Sequence, residues 1–178
     1  MTDIRAATEG DFAAITAIYA WNVDNGTGTF ALEPPSQEDM LAGFRAIAAM
    51  RLPYLVAVEN DEIIGYAYAS PFRARPGYKY GVEDSVYLAP GATGRGLGKR
   101  LIDALIAKCT ERGLYSMIAV IGDGDNAASI GVHRACGFTE TGRLPRAGFK
   151  FGRWLDVVFM MRDLLPRTET PSGDGWAG

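Results

Sequence analysis

Three features of the sequence predict an α+β (mixed α/β) domain built on a central, mostly antiparallel twisted sheet flanked by helices. Apolar residues recur at helical spacing near the N-terminus, change to strand-like runs at Tyr54, and then alternate between the two patterns. The resulting order is helix, helix, three strands, helix, strand, helix, strand. A length of 178 residues suits one sizeable core, and 48% apolar with 22% charged residues is an ordinary globular composition. Residues 1–165 are therefore read as the domain. Residues 166–178, rich in Thr, Pro, Ser and Gly, have little to bury and are read as a flexible tail.

Each element has its own local reason. Ile4 to Ala6 suits a short edge strand. Thr8 and Asp11 stand at capping-box spacing before Phe12, Ile15, Ile18 and Tyr19, which share one helical face. A loop, Asn25 to Thr29, separates this helix from a second, whose N-cap is Ser36 and whose apolar stripe is Met40, Leu41, Phe44 and Ile47. Tyr54 to Val58, the polar turn Asn60-Asp61-Glu62, and Ile63 to Tyr68 read as a hairpin. A Pro/Gly/Arg-rich loop, 71–81, leads to a strand from Val82 to Leu88. The run Gly91 to Lys99 precedes a helix carrying Leu97, Leu101, Ile102, Leu105, Ile106 and Cys109. Ser116 to Ile121 is apolar enough for a strand buried on both faces. A short helix from Asn126 to about Ala135, a break at Cys136-Gly137-Phe138 and a strand from Trp154 to Met161 complete the order.

Composition removes several function classes. One His and two Cys, at 109 and 136, cannot furnish a structural zinc site, so no metal is expected, and the two thiols should be free in a reducing compartment. No apolar run approaches the roughly 18 to 20 residues that cross a bilayer, and Met1 to Arg5 lacks the layout of a signal peptide, so a cytoplasmic protein without a membrane partner is expected. The net charge of −3 conceals an asymmetry. Residues 1–62 hold ten acids and three bases, a net −7, whereas residues 63–167 hold nine acids and fifteen bases, a net +6. Without a dense basic run or interleaved aromatics this excess suits a phosphorylated small molecule better than nucleic acid.

The glycine run is the natural place for such an anion. Glycines let the backbone approach a phosphate, and the unpaired N–H groups of the first helical turn point at it with the positive end of the helix dipole. Arg95, Lys99 and Arg100 add charge. Spacing excludes the dinucleotide fingerprint, which needs a third Gly where Lys99 stands, and no window satisfies the Walker pattern. The competing reading is a plain glycine turn before a solvated basic helix.

Two segments carry a family resemblance. Thr93-Gly94-Arg95-Gly96-Leu97-Gly98-Lys99 after the strand Val86-Tyr87-Leu88, and Asn126 through Ser129 and His133 to Gly137-Phe138, resemble the diagnostic segments of the GNAT superfamily of acetyl-CoA-dependent N-acetyltransferases. Thr93 departs from the usual Gln or Arg. The resemblance extends over nearly the whole chain to the phosphinothricin and methionine sulfoximine/sulfone acetyltransferases, through Thr29-Phe30, Glu33-Pro34, Arg75, Tyr78, Val82 to Tyr87, Val120 to Gly122, His133, Gly148 to Lys150, Trp154 and Asp156. It implies acetyl-CoA as cosubstrate. Thr93, Gly94, Arg95, Gly96, Leu97, Gly98 and Lys99 would hold its pyrophosphate, the strand edge Val86, Tyr87 and Leu88 would pair with the pantetheine amides, and Asn126 would bond the pantetheine arm, a position Asn also favours as an N-cap. It also implies a homodimer, with Lys150, Arg153 and Trp154 facing the partner. Met160 and Met161 read as core or interface.

Acetyl transfer to an amine needs a base, because only about a tenth of an ordinary α-amino group is neutral at pH 7. Glu83 is the candidate, against the alternative of a surface carboxylate paired with an Arg. His133 stands where many relatives carry the group that protonates the departing thiolate; it either does so or orients Glu83 or its water. For an amino acid analogue as substrate, Arg73 and Arg75 suit the anionic groups, with Phe30 and Tyr78 as walls; a solvated basic loop is the alternative. The expected activity is acetylation of the α-amino group of a small amino acid analogue. The alternatives are another amine, such as a polyamine or a protein N-terminus, or a non-catalytic acyl-CoA-binding module.

Overall fold

The change of period at Tyr54 is where the chain enters its main sheet in the computed structural model, which describes residues 2–166, 168, 171 and 173–177. An edge strand β1 (Asp3–Ala6) precedes α1 (Phe12–Asn25) and α2 (Gln37–Ala49). Ser36 caps α2 with the reciprocal pair its sequence predicts: its hydroxyl accepts from the Asp39 N–H at 3.1 Å, and the Asp39 carboxylate accepts from the Ser36 N–H at 3.2 Å. β2 (Tyr54–Glu59) and β3 (Glu62–Pro71) form the hairpin, turning at Asn60 and Asp61, whose φ values of 52° and 62° are the left-handed pair that a two-residue turn requires. Then follow β4 (Gly81–Leu88), α3 (Leu97–Glu111), β5 (Ser116–Gly122), α4 (Ala127–Ala135), β6 (Thr139–Lys150) and β7 (Arg153–Asp163).

The sheet runs β1-β2-β3-β4-β5-β7-β6, and every neighbouring pair is antiparallel except β4–β5. Strand alternation sorts its two faces. Tyr54, Tyr66 and Tyr68 stack with interplanar angles of 6° to 10° on the face that meets Phe12 of α1 and Phe44 of α2. On the opposite face Gly65 lies against Leu101 of α3, whose Leu101, Ile102 and Leu105 are fully buried. Among the described residues no helix is long and apolar enough to cross a membrane.

Two stretches differ from the expectation. β6 has no strand-like pattern in its sequence: it contains Pro145, Gly142 and Gly148, is broken by register shifts at 140–142 and 144–148, and forms the sheet edge, where exposure and bulges are tolerated. Its partner strand β7 supplies the burial, with Leu155, Val158 and Met160 at 1% exposure or less. In the stretch 166–178, residues 167, 169, 170, 172 and 178 lie outside those described. Gly175–Ala177 form a 3₁₀ turn, and Trp176 is buried against the main core. One large aromatic ring is enough to dock a polar segment, because a Trp buries 150–250 Å².

Candidate active site

The site is made by the one parallel pair in the sheet. β4 and β5 are hydrogen-bonded only over Gly81–Asp84 and Ser116–Ala119. Beyond Asp84, β4 continues paired with β3 alone, and beyond Ala119, β5 continues paired with β7 alone. The parting strands leave the β5-facing edge of Ser85 to Leu88 without a strand partner. They open a cavity of about 210 Å³ lined by Glu83 to Tyr87, Ala119 to Gly122, Gly28 to Phe30, Asn126, Ser129 and His133. A second cavity of about 720 Å³ adjoins it, with Gly28, Val86, Tyr87, Asn126 and Ser129 lining both.

Alternation along β4 sends its two consecutive carboxylates to opposite faces. Glu83 lies opposite Ser70, and Ser85 opposite Tyr68, so Glu83 shares the tyrosine face of α1 and α2. The Glu83 side chain is half-buried and makes no hydrogen bond among the described residues. Burial first, then the neighbouring Asp84 charge, push its carboxyl above the ordinary carboxylate range, and the Arg73 charge partly opposes them.

Asp84 points the other way and meets α4. His133 sits one turn after Ser129, and its Nδ1 lies 2.8 Å from the Ser129 carbonyl oxygen while its Nε2 lies 2.9 Å from Asp84 Oδ2. Both ring nitrogens thus face acceptors. Burial works against the imidazolium, but the Asp84 hydrogen bond and charge and the Ser129 carbonyl outweigh it and raise the His133 pKa. The side chains are 4% and 1% exposed. Asp84 Oδ1 has no hydrogen-bond partner among the described residues, although Asp84 lines the cavity. Asp84 is the residue that sequence reasoning passed over as a site residue. The available signal was the alternation of the strand combined with the helical i, i+4 spacing of Ser129 and His133.

The larger cavity carries the glycine run. Gly91, Gly94 and Gly96 have φ of 78°, 74° and 75°, and Gly96 is the N-cap of α3 with no side-chain cap. The Arg100 N–H bonds back to the Gly96 carbonyl, so the N–H groups of Leu97, Gly98 and Lys99 lie before the first intrahelical bond and stay open. Thr93, Gly94, Gly96, Leu97, Gly98 and Lys99 line this cavity with Val86, Tyr87, Leu88 and Asn126. Arg95 does not line it; it is turned to Glu59 at 2.7 Å. Lys99 is held by Asp103 at 2.6 Å, and Arg100 donates to the Thr2 carbonyl. The cradle therefore consists of backbone N–H groups. Asn126 caps α4, accepting from the Ser129 N–H at 3.1 Å, and borders both cavities.

Of the expected substrate residues only Phe30 lines the smaller cavity. Arg73 stacks on Phe72, 4.2 Å from its ring centre, close enough to act on Glu83 electrostatically. Arg75 is exposed at the start of the 3₁₀ turn Pro76–Tyr78, and Tyr78 is exposed with its ring against Phe72.

The Gly26–Phe30 loop is pinned over the cleft by β6, β7 and the end of β5. Lys150, expected at a subunit boundary, is instead 3% exposed and donates to the Gly26 and Thr29 carbonyls at 2.9 and 3.0 Å. Asp123 accepts from Thr27 and Arg153 at 2.9 and 2.6 Å. A Cβ at Gly148 would collide with the Phe30 ring, so the loop seats on bare backbone there. Trp154 remains 61% exposed beside Phe149.

The profile of the acetyltransferase (GNAT) family matches residues 15–138. The chain is 46% identical over 161 residues to the phosphinothricin N-acetyltransferase of Alcaligenes faecalis, covering 90% of this chain and 82% of the relative. It is 41% identical over 169 residues to the L-methionine sulfoximine/L-methionine sulfone acetyltransferase of Pseudomonas paraeruginosa, covering 94% and 98%. Its fold superposes with a TM-score of 0.93 and 44% identity on the crystal structure of a GNAT superfamily phosphinothricin acetyltransferase from Sinorhizobium meliloti in complex with AcCoA, covering 96% and 93% of the two chains.

Proposed function

The chain belongs to the GNAT acetyltransferase family, and from that premise we propose that it transfers the acetyl group of acetyl-CoA to the α-amino group of a small amino acid analogue of the phosphinothricin, methionine sulfoximine or methionine sulfone type. The observation that carries the reading is Glu83: a half-buried carboxylate, free of hydrogen-bond partners, in a cavity that adjoins an uncapped helix N-terminus. The open N–H groups of Leu97, Gly98 and Lys99 suit a pyrophosphate, and the edge of Ser85 to Leu88 that lacks a strand partner suits the amides of a pantetheine arm. Acetyl-CoA supplies an activated thioester.

In this reading Glu83 removes a proton from the substrate ammonium, directly or through water. Its raised pKa brings it nearer to the amine it must deprotonate. His133 is held at the cavity wall by Asp84 and Ser129, which engage both ring nitrogens and raise its pKa. Arg73 lies outside the lining of the cavity, and its charge acts on Glu83. Most of the acceleration comes from holding amine and thioester together, worth roughly 7–11 kcal/mol in well-oriented systems.

The same reading takes the protein as a cytoplasmic homodimer. The exposed Leu144, Phe149, Phe151 and Trp154 of the β6–β7 hairpin supply an apolar face for a second copy, and the buried free thiols of Cys109 and Cys136 fit a reducing compartment. Sedimentation velocity checks the dimer.

The deciding experiment measures thiol release from acetyl-CoA with methionine sulfone for the wild type and Glu83→Gln. Turnover should fall by about 10²–10⁴-fold in the variant. Coenzyme A binding without turnover on any amino acid analogue sinks the reading.

A further inference from the structure

The indole of Trp176 lies 98 and 95 positions along the chain from the two carbonyls it binds. Its Nε1–H donates to the Tyr78 oxygen at 3.1 Å and the Gly81 oxygen at 3.2 Å, and its own backbone N–H donates to the Lys79 oxygen at 2.9 Å. Tyr80 completes the junction by donating its hydroxyl to the Gly173 carbonyl at 2.7 Å. Gly175, with φ of 61°, passes so close to Lys79 that a Cβ there would collide with the Lys79 carbonyl. The Trp176 ring is 8% exposed in an otherwise polar, glycine-rich stretch.

The segment it holds leads to the site. Tyr78 packs edge-on against Phe72, ring centres 5.9 Å apart, and the Arg73 guanidinium lies over that same Phe72 ring while its Nη1 donates to the Phe72 carbonyl. Gly81 opens β4 two residues before Glu83. Apart from the tail, the backbone of Phe72–Tyr80 is held among the described residues by short 3₁₀ bonds, a bond from the Phe72 N–H to the Gly81 carbonyl at 3.5 Å and the bonds from Tyr115 and Ser116 to the Tyr80 carbonyl.

We propose that Trp176 is a positioning residue for the acceptor amine: by clamping Tyr78 and Gly81 it holds the Phe72–Tyr80 loop so that Arg73 stands beside Glu83. The proposal rests on the reading of Glu83 as the base, and the tail acts on that base through Phe72 and Arg73 without touching substrate. Loss of the clamp frees Arg73, removes the charge that opposes the rise of the Glu83 pKa, and moves the acid limb of the kcat/KM profile to higher pH.

The test uses the full chain with Trp176→Ala, Trp176→Phe, which keeps an aromatic ring but loses the N–H donor, and Gly175→Ala, which unseats the turn while leaving the indole intact. Hydrogen exchange of residues 72–81 reads the clamp without reference to activity. Steady-state kinetics with acetyl-CoA and methionine sulfone read its consequence. Exchange of the loop should accelerate in all three variants, least in Trp176→Phe. The KM for the amine should rise about tenfold in Trp176→Ala, with the KM for acetyl-CoA unchanged and the acid limb displaced upward. A variant that melts earlier but keeps loop protection, amine KM and acid limb overturns the proposal. If the wild type turns over no amine while its loop protection still depends on Trp176, the assignment of the base fails and the clamp stands.

Discussion

Replacing Asp84 with Ala tests the buried pair on which the α4 side of the site is built. The carboxylate and His133 are almost wholly inside, so removing the carboxylate leaves the His133 Nε2 without the acceptor it faces. Breaking a buried pair from one side costs about 3–5 kcal/mol. Two features lower that figure: Asp84 Oδ1 is already unpartnered in the native protein, and His133 can shed its Nε2 proton while keeping the bond to Ser129. The expected loss is therefore about 3 kcal/mol, which at this chain length lowers Tm by about 6–12 °C. The pH dependence has a definite sign. The folded pKa of His133 is raised above its ordinary 6.5, so its contribution is complete below 6.5 and fades as pH climbs through the folded value; the gap between wild type and variant should narrow over that range. Thermal melts from pH 5.5 to 9.5 measure it. Because His133 is the only histidine in the chain, nitrogen NMR of its ring needs no assignment strategy. Both ring nitrogens should still carry protons above pH 6.5 in the wild type, and the Nε2 proton should be lost at lower pH in Asp84→Ala. A loss of less than about 2 °C at pH 6, or a His133 titration at or below 6.5, refutes the argument.

The remaining predictions concern the base and the cradle. A carboxyl whose folded pKa is raised holds its proton more tightly in the native state than in the unfolded chain, so its ionisation destabilises the fold as pH rises from the unfolded value through the folded one. Glu83→Gln should thus melt higher than wild type above that window and equal to it below, despite its loss of turnover; melts at pH 4 and pH 8 decide this. Gly96→Ala places a Cβ at φ of 75°, where an L-residue loses about 1–2 kcal/mol. The open N–H groups should tilt off the phosphate, raising the KM for acetyl-CoA by about 5- to 30-fold with kcat nearly unchanged, as read by steady-state kinetics.

Much of this protein was legible one residue at a time. The Ser36 cap, the Asn60-Asp61 turn, the stripe of α3 and the left-handed glycines before it are local events, decided by side chains and backbone angles within a few residues of each other. The same holds for the Asn126 cap. The edge strand β6 was not legible, because its stability comes from β7 and its own residues are exposed and interrupted by Pro145. The partners of the charged groups were equally hidden. Arg95 was read as a phosphate ligand and turned to Glu59, Lys150 was read as an interface residue and lies buried under the Gly26–Thr29 loop, and His133 found Asp84 across 49 residues of chain. Trp176 looked like part of a loose end until a core surface was present for it to cover. Backbone preference acts over one turn and is written locally. Burial, ion pairing and the separation of β4 from β5 depend on which distant surfaces meet, and only the assembled fold determines that.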